Sequence, residues 1–449
     1  MRKYQSYKSS GVEWIGDIPS NWNVTKIKYT KKDTKDSFID GDWIESKDLC
    51  DEGIRYITSG NIGEGKYKEQ GRGYISENTF VELNCTEIFE GDLIISRLFL
   101  PVGRSCILPN LNNRVVTCVD NVVLRPKESF NKFYLNYQFN SNRYSEFTEL
   151  ISRGVTLTRI SRGMLGNNSI VVPPLNEQHQ IVQFLDEKTD LIDKLISTKE
   201  RKITLLKEQR ISLINQVVTK GLNPNVRMKD SGIDWIGEIP EHWVITKLKY
   251  LVTFDSGYSF NSSDYVDEGV NLIRIGSLYD NTLDLERSPV FLPIHFLNQH
   301  QNFVVKKNDI LISLTGTLGK RDYGYSIVYD KDFPSLLNQR VGRLKLKSED
   351  LNFKLFTSIL HSEYYLNQLF CKPTGTKQGN FSSDDIVSNY IFLPTIEEQL
   401  QIVEYLDSKT KEIDELVQLE QKKIDLLKDY RQSLISEVVT GKIKVITDE

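Results

Sequence analysis

Between Leu175 and Thr219, apolar or long side chains recur at Ile181, Leu185, Lys188, Ile192, Leu195, Lys199, Ile203, Leu206, Arg210, Leu213 and Val217. The steps mostly alternate between four and three residues, which predicts a helix with a coiled-coil seam. No proline or glycine interrupts the run. The same register returns at Ile402, Leu406, Lys409, Ile413, Leu416, Glu420, Ile424, Leu427, Arg431, Leu434 and Val438. Charged residues fill the other faces, as on a solvated helix. Each run starts just after a proline (Pro173, Pro394) with a Glu-Gln pair at 177–178 and 398–399, and each ends at a Lys/Gly pair at 220–221 and 441–442. Acids suit a helix start and glycine a helix end. A continuous helix of this length spans about 65 Å at 1.5 Å per residue, and two such helices can bury each other's seams by pairing antiparallel.

The segments before the two helices alternate differently. RYITSG, DLIISR, VVTCVDNVVL, LIRIGSL and DILISL read as short strands, while NKFYLNYQFNSNRYSEFTEL and FKLFTSILHSEYYLNQLF read as helices with aromatic faces. The chain is also duplicated. Ser10–Tyr29 and Ser231–Tyr250 share 12 of 20 residues, and PPLNEQHQIVQFLDEKTDLIDKL answers PTIEEQLQIVEYLDSKTKEIDEL at the same offset of 221. Between these anchors the halves match faintly: GDLIISR with NDILISL, Gly103 with Gly319, GVTLTRIS with GTKQGNFS. The predicted fold class is α+β, with two mixed α/β domains separated by two long helices in an antiparallel coiled coil. The expected boundaries are 1–172, 173–222, 223–392 and 393–449. Trp14, Ile15, Ile18, Pro19 and Trp22, and likewise Trp235, Ile236, Ile239, Pro240 and Trp243, are expected to form an apolar clasp where each domain meets the helices.

The 449 residues carry a formal net charge of −4, which excludes a uniformly basic nucleic-acid coat but not local basic patches. MRKYQSYKSS lacks the apolar run of a secretory leader, and no segment approaches a membrane span. Five scattered cysteines without a C-x-x-C pair suggest neither a disulfide framework nor a zinc site, and a reducing cytosol is expected. The positive charges are unevenly distributed. Residues 93–119 and 150–176 contain no acid but hold Arg97, Arg104 and Arg114, then Arg153, Arg159 and Arg162; 333–348 and 364–383 are likewise acid-free and hold Arg340 and Arg343, then Lys372 and Lys377. TGTLGKRD adds Lys320 and Arg321. Such islands, interleaved with Gly, Thr, Ser and Asn, suit DNA, since arginine pairs with guanine and hydroxyls and backbone N–H groups hold phosphates. They equally suit solvated strand faces. These twelve residues are the candidate DNA contacts. Catalytic patterns are missing: TGTLGKRD lacks the phosphate-loop spacing, no H-E-x-x-H occurs, and VVPPL lacks the flanking residues of an adenine methyltransferase motif.

The opener SG-hydrophobic-[ED]-W-I-G-x-I-P-x-x-W, the P-x-x-E-Q helix start and the duplication together resemble the specificity subunits of type I restriction-modification systems, across essentially the whole chain. The resemblance implies a non-catalytic protein whose two target-recognition domains each read one half of a split, asymmetric site in double-stranded DNA. It implies that the helices set the gap between the halves and dock two adenine-methylating subunits, and that restriction subunits join them. S-adenosylmethionine, ATP and Mg are then expected on the partners and no cofactor on this chain, in the cytoplasm of a bacterium or archaeon, away from membranes. The alternative is a coiled-coil adaptor that holds two protein-binding modules.

Overall fold

The computed structural model describes residues 3–71, 73–154, 158–233, 236–372 and 378–445. Trp235 and Lys377 lie outside them. The chain divides into two units, Met1–Glu200 with Lys422–Glu449, and Arg201–Gln421. The boundaries fall inside the two long helices, Leu175–Lys220 and Ile396–Val439.

Each unit repeats one plan. In the first, strands Phe38–Asp40, Asn121–Leu124, Leu93–Ser96 and Ser105–Ile107 form an antiparallel sheet in that order. A second sheet runs Val115–Thr117, Ile54–Ile57, Gly73–Ile75 and Leu49–Cys50, and its first pair is parallel. In the second unit, Val252–Ser256, Val341–Leu346, Ile310–Ser313 and Ser326–Val328 form the antiparallel sheet. Phe291–Leu292, Val270–Ile273, Ser335–Leu337 and Val304–Val305 form the other, with Val270–Ile273 parallel to Ser335–Leu337. The strand runs LIIS and ILIS are fully buried, which is why they read as continuous apolar stretches rather than alternating ones.

Helices follow the sheets in both units: Lys132–Phe139 and Asn142–Ile151, then Phe353–Leu360 and Glu363–Phe370. Their aromatic residues pack inward, with Tyr134, Phe139, Tyr144, Phe356 and Tyr365 buried. The N-cap asparagines Asn131 and Asn352 accept from the backbone N–H groups of the first turn.

The repeated opener and the Glu-Gln pair form one joint in each unit. Trp22 is buried and donates its indole N–H to Glu177, and Trp243 does so to Glu398 at 3.0 Å. The adjoining glutamine accepts from the N-cap amide, Asn131 to Gln178 and Asn352 to Gln399, both at 2.8 Å. Its amide nitrogen donates to Pro173 or Pro394 at 2.9 and 3.1 Å. The helix-ending glycine completes the joint. A Cβ on Gly441 would sit 2.3 Å from Pro19 Cδ and 3.0 Å from Trp22 Cζ3, and one on Gly221 would sit 3.2 Å from Trp243 Cζ2. Both glycines have φ near +70°, the left-handed end that glycine tolerates. Ile15, Ile18 and Ile239 are buried in the same joints. Trp14 stacks on Phe147 at 5.3 Å between ring centroids, a packing contact.

Within each unit the long-helix segments pair antiparallel. In the first, Ile181, Leu185, Ile192, Leu434 and Val438 are buried in one cluster, and Arg431 donates to Asp193 at 3.0 Å. In the second, Ile214, Val217, Ile402 and Leu406 share a cluster, Lys202 donates to the buried Glu420 at 3.0 Å, and Arg210 faces Asp414 at 3.1 Å. The predicted seam holds with three corrections. Lys188 is exposed and Thr189 takes the buried position; Leu195 and Leu416 are exposed, with Ile196 and Val417 partly buried in their place. The stripe drifts because 3.6 residues per turn does not match a strict 3.5 repeat. Among the described residues no helix is long and apolar enough to cross a membrane.

Candidate nucleic-acid interface

Three segments converge on one surface of each unit: the loop after the buried strand and the Gly-polar run, both of which match faintly between the halves, and the turn at Asp120 or Arg340. In the first unit, the loop after Leu93–Ser96 bridges the Gly-polar run: Leu98 pairs with Arg159, and the Ile160 amide donates to the Arg97 carbonyl at 3.1 Å. The turn at Asp120 closes the group, with the Arg97 amide donating to its carbonyl at 2.8 Å. In the second unit, Thr315–Thr317 pairs with Gln378–Asn380, the Phe381 amide donates to the Leu314 carbonyl at 2.9 Å, and the Leu314 amide donates to the Arg340 carbonyl at 3.0 Å. Both faces are therefore built alike from backbone, and their side chains differ.

On the first face, Arg97, Arg159 and Arg162 surround two carboxylates. Asp40 lies 3.1 Å from Arg97 and 3.3 Å from Arg162, and Asp120 lies 2.7 Å from Arg159. Arg159 and Arg162 are nearly half exposed, while Arg97 is buried and also donates to the Ile160 carbonyl at 3.2 Å. Burial lowers the Arg97 pKa from its ordinary value; Asp40 opposes the shift and the charges of Arg159 and Arg162 reinforce it. Arg153 is exposed beside them, its backbone paired with that of Arg159. Three paired guanidiniums and Arg153 against two carboxylates leave this face net positive.

On the second face, Thr315, Thr317, Arg340 and Gln378 line a groove of about 560 Å³ with Tyr279, Arg287 and Asp322. Arg340 and Lys320 are exposed. Desolvation pushes the Asp322 pKa up, but hydrogen bonding from the Thr317 side chain and from its amide, at 2.8 Å, outweighs this and lowers it from the ordinary carboxylate value.

The structure corrects the remaining sequence candidates. Arg104 is buried, with donors going to the carbonyls of Ile62, Leu98, Phe99, Pro101 and Ser59 at 2.7–3.2 Å. Arg343 is buried between Asp255, Asp309 and the carbonyls of Val304 and Asn302. Lys372 donates to Ser388 at 2.8 Å and to the Asp385 carbonyl at 3.0 Å, and burial lowers its pKa. Arg114 pairs with Glu77 and Glu87 and lies over the Phe80 ring, and Arg321 pairs with Glu363 and Asn367. All five carry out internal bonding. The acids that pair with Arg114, Arg321 and Arg343 lie 27 or more residues away in sequence, so a locally acid-free stretch around Arg114 or Arg343 did not mean an unpaired arginine. One groove residue escaped the sequence pattern for the converse reason: Arg287 sits close to Glu286 and Asp284, yet its guanidinium has no carboxylate partner among the described residues. Among those residues no cluster of His, Cys, Asp and Glu suits a metal ion.

A model of the type I restriction modification DNA specificity domain matches the chain twice, over residues 19–205 and 240–429. The chain is 31% identical over 310 residues to the type I restriction enzyme MjaVIII specificity subunit of Methanocaldococcus jannaschii, covering 69% of this chain and 70% of that protein. It is 26% identical over 453 residues to the putative MjaX specificity subunit of the same organism, covering 96% of each. A solved chain from a type I R-M system aligns at TM-score 0.67 and 17% identity over 95% of this chain and 99% of its own, a likeness of fold. The duplicated architecture and the paired match thus coincide, and the chain belongs to the type I restriction-modification DNA specificity family, the non-catalytic specificity subunits of type I restriction enzymes.

Proposed function

We propose that the two faces are DNA readers, each taking one half of a split, asymmetric target. The observation that carries this is the repeated convergence of the same three segments with different side chains: one scaffold presents two chemistries. Arg153, Arg159 and Arg162 on the first face, and Arg340 and Lys320 on the second, are the proposed contacts. Arginine reads guanine through paired donors, and lysine meets phosphate as a point charge. Lys377 stays among the proposed contacts on its acid-free sequence context alone.

The long helices are proposed to fix the number of unread base pairs. A 46-residue helix is about 69 Å long, and its charged cross-helix pairs set one register. The helices are also proposed to dock two adenine-N6 methyltransferase subunits, which carry S-adenosylmethionine, with ATP- and Mg-dependent restriction subunits joining, in the cytoplasm. Exposed leucines recur at repeat-equivalent positions, Leu195 with Leu416 and Leu205 with Leu426, as two copies of one partner require.

The test is selection from randomised DNA duplexes by the full chain co-purified with its methyltransferase subunits. Two short blocks at fixed spacing are expected. No enriched sequence from an intact complex would reject DNA reading and favour the adaptor.

A further inference from the structure

The groove of the second face contains a preassembled arginine fork. Leu278–Tyr279 pairs with Thr282–Leu283 in a tight hairpin whose turn residues, Asp280 and Asn281, both have positive φ (49° and 57°). That is the two-residue turn that matches strand twist. The hairpin is tied to the sheet, because Asn281 Oδ1 accepts from the Ser326 amide at 3.0 Å, and it is closed internally by Thr282 Oγ1, which donates to the Tyr279 carbonyl at 2.6 Å. Tyr279 is thereby presented half exposed on a fixed backbone.

The guanidinium of Arg287 lies 4.2 Å from the centroid of the Tyr279 ring. Two acids stand close in sequence, and neither pairs with it among the described residues: the adjacent Glu286 makes no ion pair with the guanidinium, and Asp284 Oδ1 accepts the backbone N–H groups of Glu286 (3.0 Å) and Arg287 (3.1 Å). The groove's own acid, Asp322, holds the Thr317 amide. Arg287 and Arg340 share this groove without a carboxylate partner among the described residues, whereas Arg321 and Arg343 of the same unit are both paired. Gln378 lines the groove as well.

A guanidinium held over a ring is restricted in how it swings and keeps an N–H edge for a ligand. That edge matches two acceptors side by side, and the O6/N7 edge of guanine in the major groove is such a pair. We infer that Arg287, oriented by Tyr279, reads a guanine of the second half-site, with Arg340 and Gln378 on adjoining base edges. This rests on the DNA-reading function proposed above. Among the described residues the first unit has no such pair at the equivalent turn. The equivalent short turn of the first unit, Ser59–Asn61, is followed by Ile62 and Gly63, so glycine stands where Tyr279 does.

The experiment is the same duplex selection, run with the full chain and its co-purified methyltransferase subunits. Wild type should enrich two blocks. Arg287→Lys keeps the charge but loses the fork, and Tyr279→Leu removes the ring that holds it. Each should lose the preference for guanine at one position of one block by roughly 10- to 100-fold. Tyr279→Phe should retain it. The unchanged other block reports that each variant is folded and assembled. If wild type yields a split motif and Arg287→Lys keeps both blocks, base reading by Arg287 is overturned while the function stands. A uniform loss at all sequences with a shallower salt dependence would make it a phosphate contact and also overturn the inference. No motif from wild type would reject the function and the inference together.

Discussion

Replacing Arg343 by alanine should unfold the second unit more easily rather than change what it reads. The side chain is buried and sits directly across the sheet from Asp255. Its Nε and Nη2 donate to Asp255 Oδ2 at 3.1 and 2.7 Å, and its remaining donors reach the carbonyls of Val304 (2.6 Å) and Asn302 (2.8 Å). Asp309, largely buried, lies 3.6 Å away. Truncation leaves Asp309 without its counter-charge and two carbonyls without donors. Breaking a buried pair this way costs about 3–5 kcal/mol. Asp255 is 42% exposed and regains water, which places the loss at the lower end, about 3 kcal/mol. For a unit of this size 1 kcal/mol corresponds to about 2–4 °C, so its melting transition should fall by roughly 6–12 °C. Scanning calorimetry of the full chain measures this, with Arg340→Ala as the exposed control expected to melt like wild type. The reasoning is refuted if Arg343→Ala melts with wild type and instead loses one half-site.

Three further outcomes follow from the same geometry. Burial pushes the His361 imidazole below its ordinary value of 6.5, while its ring bonds the Ser326 carbonyl at 2.8 Å. The unfolded chain therefore takes up the proton first, and the second unit should lose stability as pH falls below about 6.5; pH-dependent melting of His361→Gln should be flatter than wild type in that window. Trp243→Phe removes the donor to Glu398, which keeps its 2.8 Å contact with His242, so denaturant unfolding should show a loss of about 1–2 kcal/mol with the selected DNA motif unchanged. Deleting one heptad from both long helices should shorten the gap between the selected blocks, and an unchanged gap would sink the role of the helices as a ruler.

The duplication, the two long helices and the joint between opener and helix start were legible in the sequence because each rests on local spacing. Trp22 with Glu177 and Trp243 with Glu398 repeat at one offset, but the clasp was expected to be apolar and the indole-to-carboxylate hydrogen bonds came from the structure. The candidate contacts were legible only in part. Two of the acid-free islands lie on the converging faces, through the bridge at Arg159 in the first unit and the strand ending in Asn380 in the second. They could not sort structural from available arginines, because the acids that neutralise Arg97, Arg114 and Arg343 come from segments distant in sequence. The seam was misread at Lys188 and Leu195 for a related reason: which side of a drifting stripe is buried depends on the partner helix, not on the stripe.

The most direct test of the account is single-molecule mapping of N6-methyladenine in genomic DNA from a host that expresses this chain with its methyltransferase subunit. The account predicts one split motif with a fixed gap, modified on both strands, in which Arg159→Ala alters one half and Arg340→Ala the other. Methylation at a continuous, ungapped motif, or no methylated motif from a complex shown to be assembled, would contradict it.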